Sequence, residues 1–220
     1  MKFFGAVAVL VAASGAWASD AGQTPKRVVT VCLSPGANAP ILYRGQAAAS
    51  RILKQAGIRI DWRLDARACV AAGNGIVVTV ALATPEDRHP GALAYAMPFE
   101  GTRIELFYDR VQNAVRPSLA PFLVGHVLAH EIAHILQGIS RHSASGIMKA
   151  HWDARDYAKM DCGQLNFTEE DVRLIHNGLK GSCRPGNPRT NDRTQYDGVH
   201  SDGDESGASA ANRGVVPRGE

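Results

Sequence analysis

The chain has 220 residues, 45% of them hydrophobic, which is enough for one well-filled core with tails to spare. Its formal net charge of +3 comes from 24 basic and 21 acidic residues mixed along the chain, too even a balance to grip a polyphosphate backbone. No basic cluster alternates with aromatic residues, so no nucleic-acid partner is expected.

In chain order, the first segment reads as an address. Lys2 supplies a positive start, Phe3 to Ala13 an apolar stretch, and Ala16-Trp17-Ala18 a small-x-small cleavage pattern. About 15 apolar-leaning residues are too few for a comfortable span, and no other stretch approaches the ~18 that a span needs. The expectation is a signal peptide over 1–18, a short segment over 19–26, and a mature chain that is secreted or periplasmic and crosses no membrane. The four cysteines, Cys32, Cys69, Cys162 and Cys183, then read as a disulfide set. Three connectivities are open. Cys32–Cys69 with Cys162–Cys183 is favoured because each pair stays within one half of the chain.

Val28 to Leu33 is a β-branched run stopped by Ser34-Pro35-Gly36 and predicts a buried strand. Asn38 can cap a helix entered through Pro40 and ended at Gly57. Ile58 to Arg63 alternates apolar and polar residues, so strand, helix and strand form a βαβ unit with parallel strands. Ile76 to Leu82 is apolar throughout and suits a central strand. After a loop over Thr84 to Gly91, Ala92 to Phe99 and Thr102 to Tyr108 predict two further strands. The first of these is short and carries Pro98, as edge strands do. Pro117 to Gln137 predicts a long helix, with Val124, Leu128, Ile132 and Ile135 on a buried face and His126, His130 and His134 over a cleft. Ser143 to Asn166 shows few periodic signals. Thr168 caps a last helix ending near Gly181, and the polar stretch 184–220 predicts a disordered tail.

The chemistry sits at the end of the long helix, in HEIAHILQGISRHSASGIM. His130 and His134 lie four apart and so share a helix face, at the separation that two imidazoles need to hold one Zn²⁺. Glu131 lies beside them, placed to face a water on the metal without being a ligand. Gly138 suits the left-handed position that ends a helix, and the chain beyond it can bring His142 back as a third ligand. His151, Asp153 and Asp156 are the other candidates for that place. His126, one turn before His130, reads as lining the cleft or supporting a ligand. Glu169 and Glu170 oppose the dipole of the last helix and need no role in the site. Trp62 and Trp152 read as core anchors.

This order of elements resembles the metzincin metalloproteases. The resemblance covers roughly Arg27 to Gly181, and its specific residues run from His130 to Met148. Matrixins are the nearest branch, because a Ser follows the third His as Ser143 does. The resemblance implies an α+β (α/β-like) fold: a twisted mixed sheet of about five strands with an edge strand for substrate, a backing helix, a long zinc-binding helix, a Met-turn and a C-terminal helix. It makes 27–183 a catalytic domain, His130, His134 and His142 ligands to one catalytic zinc, Glu131 the general base and Met148 the hydrophobic floor. It implies an endopeptidase whose protein or peptide substrate binds as an extended strand, and the mature chain is expected to be a monomer. The chain departs from the family pattern HExxHxxGxxH. Gly138 falls four residues after His134 instead of three, and His142 eight instead of six. Ala150 stands where many relatives carry Tyr. The other reading is a secreted zinc-containing binding or inhibitory module that cleaves nothing. Glu131 argues for catalysis, because a purely structural zinc site has no need of that carboxylate.

Overall fold

The computed structural model describes residues 27–33, 39–72, 75–97, 102–181 and 200–201. The expected signal peptide, the segment 19–26, Cys183 and the tail apart from His200 and Ser201 lie outside the described residues.

The predicted βαβ unit is present. β1 (Arg27–Leu33) and β2 (Ile58–Arg63) pair in parallel, from Arg27 opposite Ile58 to Cys32 opposite Arg63. They are joined through α1 (Ala39–Gln55) and the turn at Gly57, whose φ of 76° is where a residue without a Cβ is favoured. α2 (Ala66–Ala72) follows, and its Cys69 is disulfide-bonded to Cys32 of β1. β3 (Ile76–Ala81) pairs in parallel with both β1 and β5 (Arg103–Phe107), and β4 (Ala94–Met97) runs antiparallel along β5. The sheet order is β2-β1-β3-β5-β4, five strands and mostly parallel, with β4 at one edge. The fold is thus a mixed α and β arrangement. No helix of the described residues is long and apolar enough to cross a membrane.

α3 (Tyr108–Ala114) follows β5 directly, where the sequence predicts only the end of a strand. The long helix, α4 (Ala120–Gln137), begins three residues later than expected, because Pro117 to Leu119 form a turn with Pro121 just inside the helix. It is not half-buried over a cleft. Every residue except Phe122 is buried, because α1 covers one side, α6 (Glu169–Gly181) and α5 (Ala154–Asp161) reach others, and β4 and β5 lie against it. The helix takes the centre of the molecule, and its polar residues His126, His130, Glu131, His134 and Gln137 are buried with the rest.

The crossing of α1 and α4 is built on small residues. A Cβ added at Gly125 would stand 2.4 Å from the Ala48 Cβ and 3.0 Å from the Gly45 carbonyl. Helix propensity alone would reward Gly125→Ala by about 1 kcal/mol. The contact is with backbone and a short Cβ that cannot swing aside, so the steric term wins. Gly125→Ala should destabilise by about 1–3 kcal/mol, read as a lower urea midpoint with unchanged slope. A variant as stable as the parent would mean that the helices cross less closely than this.

α5 lies inside the stretch with few periodic signals. It starts from a capping box: Asp153 accepts from the backbone of Arg155 and Asp156, and Asp156 accepts from the backbone of Asp153. Cys162 is the C-cap of α5 and a free, exposed thiol. Its side chain faces solvent at a helix end, with no sulfur partner among the described residues; Cys183, the partner expected for it, lies outside them. Beyond α6, His200–Ser201 form β7, a two-residue strand parallel to β6 (His151–Trp152), inside the stretch expected to lack structure.

Candidate metal centre

α4 ends as the sequence predicts. Gly138 has φ 70° and ψ 22°, and its N–H donates to the His134 carbonyl at 2.9 Å. The chain then turns back and brings His142 beside the helix. The ligand atoms of His130, His134 and His142 all lie within 4.8 Å of one another. The His142 ring stacks at 27° on that of His130, with centroids 5.3 Å apart, and meets His134 edge-on at 4.9 Å. Glu131, between the two helix histidines in sequence, has no exposed surface.

The tautomers follow from the partners. His130 Nδ1 lies 2.8 Å from the Ile147 carbonyl, and His134 Nδ1 3.1 Å from the Ile139 carbonyl. A carbonyl oxygen only accepts, so each Nδ1 carries the proton and each Nε2 a lone pair. Those two Nε2 atoms face each other at 2.9 Å. Two lone pairs so close repel unless a cation or proton lies between them. Burial, aided by the neighbouring His142 and opposed by the Ile139 carbonyl, pushes the His134 pKa down to about 3, so a proton is a poor occupant near neutral pH. Three imidazoles, two of them oriented by backbone carbonyls, are a donor set that fits zinc.

The other candidates are engaged elsewhere. His151 is exposed. Asp153 and Asp156 cap α5 and both accept from Lys149 Nζ, at 3.1 Å for Asp153. Desolvation lowers the Lys149 pKa, but those two carboxylates outweigh it and hold it above the usual lysine range. Glu170 pairs with Arg141 and Arg173. Met148 is fully buried in the core, just after the turn at Gly146 (φ 77°), and its carbonyl accepts from the Ser143 N–H at 2.7 Å.

His126 is buried one helical turn before His130 and is not among the three grouped histidines. Its Nδ1 donates to the Phe122 carbonyl at 2.8 Å, and its ring meets Trp152 edge-on at 6.5 Å. Burial lowers its pKa, against the carbonyls of Phe122 and Leu165 and with a small contribution from Arg51. Trp152, expected only as a core anchor, also meets His130 edge-on at 5.8 Å and so forms a wall of the site. Sequence reasoning missed Asp171 as well. This fully buried carboxylate accepts from the Ser143 hydroxyl and from Thr168.

No protein-family model matches the chain, and no curated protein matches it. Among solved structures it is similar to archaemetzincin from Methanopyrus kandleri, at 17% identity and a TM-score of 0.43, over 73% of this chain and 98% of that one. A likeness at that level carries no functional weight. Nothing in these comparisons supports a particular kinship with matrixins.

Proposed function

We propose that the chain is a zinc-dependent endopeptidase exported from the cell, with His130, His134 and His142 as ligands to one zinc. The observation that carries this reading is the pair of Nε2 atoms facing each other at 2.9 Å, with His142 beside them and the buried Glu131 in the same turn of helix. Zinc bound there would supply Lewis acidity toward a carbonyl and a water of lowered pKa. Glu131 is the residue that would accept the proton released as water adds to the peptide carbonyl, and return it to the amine nitrogen as the C–N bond breaks. Ile147 and Ile139 hold His130 and His134 in the tautomers that leave Nε2 open, so the imidazoles need no rearrangement. Burial of α4 keeps bulk water from Glu131 and strengthens every charge interaction around it. The buried Met148 would be the hydrophobic floor of the site. β4, at the edge of the sheet, can pair with an extended substrate strand.

In this reading 1–18 are removed on export, 27–183 form the catalytic domain and 184–220 are a tail. The Cys32–Cys69 disulfide suits an oxidising compartment. The protein acts as a monomer. The decisive experiment measures metal content and cleavage of a broad peptide library by the purified protein, with and without a chelator. One zinc per chain is expected, with chelator-sensitive cleavage inside peptides. A chain that holds zinc and cleaves nothing would be a binding module, and one without stoichiometric zinc would end the proposal.

A further inference from the structure

The loop from Gly138 to Met148 must deliver His142 with no regular structure of its own, and a metal ligand is useful only if its position is fixed within about half an ångström. Both neighbours of His142 reach the same carboxylate. The Ser143 hydroxyl donates to Asp171 Oδ1, and Arg141 Nη1 lies 3.7 Å from that oxygen. Asp171 is itself held. Its Oδ2 accepts from the Thr168 backbone N–H at 3.0 Å and from the Thr168 hydroxyl at 2.7 Å, while its own N–H reaches the Thr168 hydroxyl at 3.2 Å. A second fastening is the Ser143 N–H on the Met148 carbonyl, and the Ile147 N–H donates to the Asn166 carbonyl at 3.1 Å. A Cβ at Gly146 would stand 2.5 Å from that same Asn166 oxygen, so the loop lies flat against the entry to α6.

We infer that Asp171 is a positioning residue for the metal centre: through Ser143 and Arg141 it sets where His142 stands. The inference rests on the zinc reading above and deepens it, by making the third ligand depend on the first turn of α6. A simple helix cap needs only Oδ2 and the Thr168 hydroxyl. Oδ1 is spent on the loop, and it is buried there, where a misplaced charge is expensive.

Ser143→Ala separates the two roles, since it deletes the hydroxyl on the loop and leaves the cap of α6 whole. Zinc affinity, measured by chelator competition, should fall roughly tenfold, the low end of what supporting residues contribute. The visible spectrum of the cobalt-substituted protein should lose intensity and broaden, while the melting temperature changes little. Ser143→Thr keeps a hydroxyl and should restore both readouts. Asp171→Asn should also weaken zinc binding, and Glu169→Gln, in the same first turn of α6, should not. His142→Ala sets the scale for a lost ligand. If His142→Ala weakens zinc but Ser143→Ala and Asp171→Asn bind it like the parent with an unchanged cobalt spectrum, Asp171 is only a cap and the inference falls alone. If the parent holds no zinc, the zinc reading falls and takes the inference with it.

Discussion

Glu131→Gln is expected to fold, bind one zinc and lose at least 10²–10⁴-fold in peptidase rate, the usual contribution of a positioned acid–base group. The substitution keeps shape and volume but removes the ability to take a proton. Glu131 has no exposed surface and sits on the most enclosed helix of the molecule, so bulk water cannot replace it. Its two neighbouring ligands keep their own carbonyl partners, Ile147 and Ile139, neither of which depends on Glu131. Zinc content is therefore the control. Full metal with lost turnover assigns Glu131 to proton transfer. Full metal with full turnover would refute the mechanism, because no other carboxylate of the sequence lies within the helix turn that carries both histidines.

The parts of the fold that were legible in the sequence are those where local pattern and burial agree. The alternation from Ile58 to Arg63 and the β-branched run from Val28 to Leu33 could hardly do anything but pair, and they do so in register. α4 was legible as a helix but not in its orientation. Face-by-face periodicity carries no information once α1, α5, α6 and the sheet enclose all sides. α2 and α3 are single short helices set by tertiary packing. α5 did announce itself through Asp153 and Asp156, but two carboxylates three apart read equally well as ligands until their backbone partners are seen. At the site, side chains could be read and backbone could not. Every residue has a carbonyl, so nothing in the sequence marks Ile139 and Ile147 as the acceptors that orient the imidazoles. Asp171 was hidden for another reason: it follows Glu169 and Glu170, and three acids in a first turn look like one response to the helix dipole.

Stripping the metal should leave a protein that acid unfolds readily, with His134 as the cause. Its pKa is about 3 in the folded chain against an ordinary value near 6.5, because burial opposes the charged ring. Between those values the unfolded chain binds a proton that the folded chain does not, so stability rises with pH across the window. The contribution is whole above about pH 6.5 and is lost as pH falls toward 3, roughly 4–5 kcal/mol over the full window. Bound zinc would hold the imidazole nitrogens against protons and add to stability at neutral pH, so the metal-loaded protein should lose more on acidification than the stripped one. Urea midpoints of chelator-treated protein between pH 4 and 7 measure the first effect. His134→Leu keeps the site apolar and removes the titrating group, and its midpoints should change less with pH than those of the parent. Equal slopes in the two proteins would mean that His134 is not held neutral by burial, and with that the lone-pair argument for a cation between His130 and His134 would fail.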